Sequence, residues 1–244
     1  TGEKPQTGEK PQTGSDSPCP IASRDFKLSV IIKLVENEEF KNVDALIDCL
    51  PDEIFKNYIS IFESQSQEKE DISKEYPRFV LFSEETSTAL AFSTKPRKLG
   101  AKHAESIQII SWNNKSKKLD FAGVYFDEIK TKRIAVNPPS CFTCHSKVGM
   151  FNWSPYRNWK GAFAEKSDLQ WVPEDESQYH DFMKFIRKNW EHKRLKKIFT
   201  QIRGDFEDNH RTLKLSDLNS NRFTPRSPYA PNNSELNKMI AKIH

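Results

Sequence analysis

Arg78-Phe79-Val80-Leu81-Phe82-Ser83 and Thr88-Ala89-Leu90-Ala91-Phe92-Ser93, joined by Glu84-Glu85-Thr86-Ser87, set the architecture of this chain. Both six-residue runs are short, apolar and rich in aromatic or β-branched residues, and a polar, turn-prone tetrapeptide divides them. That is the pattern of a β-hairpin. A second copy of the pattern follows. Ile107-Gln108-Ile109-Ile110-Ser111-Trp112 and Lys118-Leu119-Asp120-Phe121-Ala122-Gly123-Val124-Tyr125-Phe126 flank Asn113-Asn114-Lys115-Ser116, and Arg133-Ile134-Ala135-Val136 adds a fifth strand. Successive strands with short connections predict an antiparallel sheet of about five strands. Asn137-Pro138-Pro139 stops it, because proline cannot donate to a ladder and restricts the residue before it.

Upstream the period changes to that of a helix. Phe26, Val30, Ile31, Leu34 and Val35 fall on one face, followed by Val43, Leu46, Ile47 and Leu50. Leu50-Pro51-Asp52 breaks the run, and a further helix is predicted with Ile54, Phe55, Tyr58, Ile59 and Phe62 on its face. Residues 64–76 are polar and read as a loop. Downstream, Phe182, Phe185, Ile186 and Trp190 share a helical face that Leu195, Ile198, Phe199 and Ile202 continue, with Gly204 as a stop. Residues 211–232, with Pro225, Pro228 and Pro231, read as loop, and Ser234 caps a last helix bearing Leu236, Met239, Ile240 and Ile243. The predicted class is α+β, with N-terminal helices on an antiparallel sheet and a mostly helical lobe after it. The predicted organisation is a linker at 1–18, an α+β lobe at 19–136 and a helical lobe at 137–244.

The linker contains Thr-Gly-Glu-Lys-Pro-Gln twice and the start of a third copy, with no apolar side chain to bury. Such a segment cannot offset its ordering entropy. Its likeness to zinc-finger connectors misleads, since no Cys2His2 finger accompanies it; a spacer from a membrane anchor or an expression scar is the simpler account. Thr1 marks a processed product or a trimmed fragment. With 36% hydrophobic and 30% charged residues over 244 positions, the composition is that of a soluble globule. No run approaches the ~20 apolar residues of a membrane span. A net charge of +4 suits docking to an acidic protein and is too small to argue for nucleic acid.

The chemistry lies in Cys141-Phe142-Thr143-Cys144-His145. Cys-x-x-Cys-His is the pattern on which haem is covalently attached, each thiol adding across a vinyl group and the histidine lying beneath the iron. A zinc site would need four Cys/His ligands in two close pairs, and neither Cys19 with Cys49 nor the scattered histidines supply the second pair. A thioredoxin-like redox motif is opposed by the adjacent His145 and by the lack of a preceding buried strand–turn–helix. Trp153, Tyr156 and Trp159 follow at spacings of three. Such rings form an ordinary aromatic cluster or, beside this motif, a wall that stacks on porphyrin and excludes water.

These residues resemble a family of bacterial exported proteins with a cytochrome c-type haem site. Its segment runs N-P-x-x-C-x-x-C-H and then P-x-W-x-x-Y-x-x-W-x-G. Here the corresponding residues are Asn137-Pro138-Pro139-Ser140-Cys141 and Trp153-Ser154-Pro155-Tyr156-Arg157-Asn158-Trp159-Lys160-Gly161. Ser64-Gln65-Ser66-Gln67 and Tyr76-Pro77-Arg78-Phe79-Val80-Leu81-Phe82 are similar to that family's S-x-S-x-Q and P-R-V-I-L-F stretches. The resemblance spans roughly residues 27–165, and more loosely the C-terminal third. Ser146 departs from an expected Gly, and Phe151-Asn152 from an Arg-Pro. The resemblance implies a single covalent haem c.

Haem attachment of this type is completed outside the bacterial cytoplasm, so a periplasmic or otherwise exported protein is expected, its signal peptide removed. In that compartment Cys19 and Cys49 can close a disulfide, the other reading being a buried Cys49 thiol on a helix. His145 is the expected proximal ligand. For the distal position His180 and Met183 are candidates, against plain readings as an exposed histidine and a core methionine. Met150 follows His145 too closely to round the porphyrin edge and reads as packing. His103, in polar Lys98–Glu105, reads as solvated. The expected activity is one-electron transfer to a redox partner protein. The alternatives are an open-site haem enzyme or sensor for peroxide or a diatomic gas, with Arg157 or His180 over the iron, and a haem-stapled interaction module.

Overall fold

A computed structural model of the chain describes residues 21, 23–37, 40–63, 69–83, 85–126, 132–145, 162–163, 181–182 and 184–200. The linker 1–18, the loop 211–232 and the helix expected after Ser234 lie outside them. The class is α+β, with short N-terminal helices and an antiparallel sheet. Helix α1 spans Leu28–Glu36 and α2 spans Val43–Asp48, and Asn42 caps α2 by accepting from the Ala45 N–H at 2.8 Å. The strands are β1 (Tyr58–Ile61), β2 (Arg78–Ser83), β3 (Thr88–Ser93), β4 (Ser106–Asn113), β5 (Lys118–Phe126) and β6 (Lys132–Val136). They form a meander in which each strand pairs antiparallel with the next. Helix α3 (Pro139–His145) follows, and the two residues of β7 (Ala162–Phe163) add to the outer side of β1.

The two predicted hairpins are present in the expected register, Ser83 opposite Thr88 and Asn113 opposite Lys118. Their turns use local acceptors. The Thr86 N–H donates to Ser83 Oγ, while Asn113 Oδ1 accepts from the N–H groups of Lys115 (2.9 Å) and Ser116 (3.1 Å). Ser87 and Lys117 take the left-handed conformation that turns each chain back.

The helix expected through Phe62 is corrected. A 3-10 helix at Asp52–Lys56 gives way to β1, which makes the sheet one strand wider. In so short an apolar run, periods of two and 3.6 fit equally well. What decides is the outer side of β2, whose backbone groups need partners. Tyr58 to Ile61 supply them opposite Leu81 to Arg78, and the Phe82 N–H extends the pairing to the Asn57 carbonyl at 3.1 Å.

Alternation sorts the strands into two faces. Phe79, Leu81, Leu90, Phe92, Ile107, Ile109, Ala122 and Val124 share one core with α1, α2 and residues 182–199. There Phe182 stacks on Tyr58 at 6.5 Å, and Phe185 meets Phe79 at 6.1 Å. Arg194 ties these layers together. Its Nε donates to Asp44 Oδ1 at 2.7 Å, its Nη1 to the carbonyls of Ser93 (3.2 Å) and Ala104, and its Nη2 to Glu105 Oε1. Lys197 Nζ donates to the Asp48 and Leu50 carbonyls at 2.7 and 2.8 Å, capping the C-terminal end of α2.

Cys49, beside that end, is disulfide-bonded, which decides against the buried thiol. Its partner is not among the described side chains. Ile21, two residues beyond Cys19, is buried in the same core as Leu46 and Leu50, whereas Cys144 belongs to α3. A digest made without reductant is therefore expected to yield one cross-linked pair of peptides, joining Cys19 to Cys49. A Cys49–Cys144 pair would refute this and would also remove a thiol from the motif.

Candidate functional site

The second face of the sheet carries Ile59, Phe82, Ala89, Leu119 and Phe121, all buried. Gly123 follows Phe121 on this face, and Tyr125 folds over it: a Cβ there would meet the Tyr125 hydroxyl at 2.6 Å. Arg133 in turn covers the Tyr125 ring, with its guanidinium carbon 4.8 Å from the centroid.

The chain leaves β6 at Asn137, whose φ of 48° is left-handed, a conformation asparagine tolerates better than most residues. Its backbone N–H donates to the Phe121 carbonyl at 2.8 Å, and its side-chain Oδ1 accepts from the Phe121 N–H at 2.8 Å. Nδ2 reaches Asp120 Oδ1 at 3.4 Å, and Asp120 also accepts from Asn113 Nδ2 at 2.7 Å. Pro138 and Pro139 then open α3. Pro139 occupies its first position, where a missing N–H costs nothing, and the Cys141 N–H donates to the Pro138 carbonyl at 3.0 Å.

Helix α3 brings Cys141, Cys144 and His145 together. At 3.6 residues per turn, the three positions fall within an arc of about 100° on one side of the helix. Cys141 is a half-buried thiol, not half of a disulfide. His145 is 9% exposed, and its ring lies 4.9 Å from that of Phe121, tilted by 39°. Phe142 meets Phe121 edge-on at 5.4 Å. Phe121, 1% exposed, is thus the floor on which the motif rests.

The other expected site residues divide in two. Trp153, Tyr156, Trp159, Met150, Arg157, His180 and Met183 lie outside the described residues. His103, read as solvated, is half-buried instead. Its N–H donates to Asp71 Oδ2 at 3.3 Å, its carbonyl accepts from Ser106 Oγ at 2.8 Å, and its ring faces Tyr125 at 6.5 Å. It belongs to the connection between β3 and β4, not to the motif. Sequence reasoning used Asn137 only as the stop of the sheet and the start of the family-like segment, and missed its bond to Phe121 and the role of that ring. The one available signal was an asparagine placed where a strand must end before two prolines.

Among the described residues no group of three or more His, Cys, Asp or Glu gathers as metal ligands, and no helix is long and apolar enough to cross a membrane. Comparison of the chain with protein-family models, with curated proteins and with solved structures finds no match.

Proposed function

We propose that this chain is a mono-haem c-type cytochrome-like protein of the bacterial periplasm or another exported location, transferring single electrons to a redox partner protein. The observation that carries the reading is Cys-x-x-Cys-His on one short helix. Its spacing sets two cysteine positions and one histidine along a single side, with the imidazole packed on an aromatic floor. That donor set fits the group: Cys141 and Cys144 would hold it through thioethers and His145 would ligate its iron. A bound haem supplies an iron that cycles between Fe(II) and Fe(III).

The chain's own contribution is to bind and to exclude water. Phe121 and Phe142 offer apolar surface beside His145, and low polarity there favours the reduced state and raises the potential. Trp153, Tyr156 and Trp159 extend this wall in the proposal; the candidate distal ligands His180 and Met183 flank Phe182 in sequence, which packs with Tyr58 on the opposite face of the sheet. The haem segment begins at residue 137, whereas residues 182–199, expected in the same lobe, share the core of α1, α2 and the sheet.

The test is purification from a host with the haem-attachment machinery, followed by acid–acetone extraction and intact mass measurement. A mass raised by one haem is expected, together with a single reversible one-electron wave in a potentiometric titration. An unshifted mass with all haem extracted would sink the proposal.

A further inference from the structure

We propose that Asn137 is a positioning residue for the His145 imidazole, acting through Phe121; as a role at an iron ligand, this rests on the haem reading above. The reasoning starts from the ladder. The last regular pair between β5 and β6 is Ala122 with Val136, so Asn137 would stand opposite Phe121 as the next partner. The Asn137 N–H to Phe121 carbonyl bond makes this a hydrogen-bonded pair of the ladder, in which the two residues ordinarily exchange both N–H to carbonyl bonds. Here only one of them is made by backbone alone, from the Asn137 N–H to the Phe121 carbonyl. The left-handed turn at Asn137 aims its own carbonyl elsewhere, and its side-chain Oδ1 accepts from the Phe121 N–H instead. The chain can therefore leave the sheet and enter α3 without orphaning a donor on a buried residue.

The same Phe121 carries the ring that meets Phe142 and His145. One residue is thus gripped by its backbone and grips the histidine by its side chain. Asparagine is the residue that meets both demands. Glycine would allow the conformation but offer no acceptor. Alanine would offer neither. Aspartate would keep the acceptor but set a second carboxylate beside Asp120, whose Oδ1 is 3.4 Å from Nδ2. If Asn137 merely ended β6, its loss would lower overall stability and leave the local exposure of His145 unchanged.

The experiment uses the full chain without haem and reads carbethoxylation of individual histidines by diethyl pyrocarbonate, mapped by peptide mass spectrometry. In Asn137→Gly, His145 is expected to react about tenfold faster, as local opening without global unfolding would give, while His103 keeps its rate. Phe121→Leu, which retains the backbone bonds and removes the ring, is expected to speed His145 similarly. Asn137→Asp keeps the acceptor but repels Asp120, so its His145 rate should rise by less than that of the glycine variant, and an unchanged rate there would overturn the proposal if the glycine variant does not fold. An unchanged His145 rate in Asn137→Gly alongside a lowered denaturation midpoint would overturn the proposal. So would a fast rate in Asn137→Gly with a slow one in Phe121→Leu, which would break the route through Phe121. In haem-loaded protein Asn137→Gly should also alter the spread of the low-spin EPR g values. If no haem attaches to the unaltered chain, the functional reading fails, and the haem-free rates still decide the clamp.

Discussion

Arg194→Ala is expected to cost about 3 kcal/mol of folding stability, lowering the thermal midpoint by on the order of 10 °C. The side chain is 11% exposed, and every nitrogen of its guanidinium has a partner: two carboxylates and two backbone carbonyls. Truncation strips this cation from Glu105, leaves Asp44 with Lys193 Nζ at 3.8 Å, and removes the guanidinium donor from the carbonyls of Ser93 and Ala104. The cost sits at the lower end for a buried pair because both carboxylates keep some contact with water. Arg194→Lys should recover little, since one ammonium cannot span a planar fork of four acceptors.

Repeating the melt at falling pH adds a second readout. Burial first, and then the positive charge of Arg194, push the His192 imidazole below its ordinary 6.5, against the opposing pull of the Thr94 carbonyl and Asp44. As pH falls, the unfolded chain therefore binds this proton before the folded one. The stability His192 contributes is complete above about pH 6.5 and is lost as pH falls through the lower folded value. Between about pH 7.5 and about pH 5.5, His192→Asn should lose less stability than the unaltered chain. Parallel curves would assign the acid sensitivity to other groups.

The second large effect is all-or-none. Replacing both Cys141 and Cys144 by alanine is expected to abolish covalent haem, because no thiol remains in the motif to form either thioether. Single replacements should leave one thioether and a shifted absorption spectrum. Cys141 is only half-buried and alanine favours the helical conformation, so the double variant should keep its far-UV circular dichroism. Retention of haem through acid–acetone extraction in that variant would show that the motif is misread. His145→Ala should leave the attachment in place and change the spin state, since only the proposed axial ligand is lost.

How far the sequence led depends on how local the deciding interactions are. The hairpins at 78–93 and 106–126 were legible because alternation and turn chemistry act within a few residues. Strand β1 was not, since Tyr58-Ile59-Ser60-Ile61 satisfies two periods and the choice was made by the outer side of β2. The helical faces of Phe182, Phe185, Ile186, Leu195, Ile198 and Phe199 were legible as faces, but which core they would fill was not. Arg194 stands in Lys193-Arg194-Leu195-Lys196-Lys197, where nothing local separates a guanidinium with four acceptors from solvated neighbours. The motif at Cys141–His145 was legible from spacing alone. Its resting place on Phe121 was not, because Asn137 meets Phe121 across 16 positions and only through the strand register.

The meander also sets an order of events along the chain. From β1 to β6 each strand pairs with its neighbour in sequence, so these ladders, unlike that of β7 with β1, close over local connections and lose little chain entropy. The bond between Arg194 and Asp44 spans 150 residues, and the aromatic side chains of 182–199 reach back to β1 and β2 over similar distances. Such distant closures come late, after the local pairings have formed. A nascent chain would therefore present α3 and its two cysteines on an already assembled sheet, while the helix-covered side still awaited its final segment. On the haem reading proposed above, enzymes attaching haem to those cysteines would meet a half-closed protein, ordered where they act and open behind.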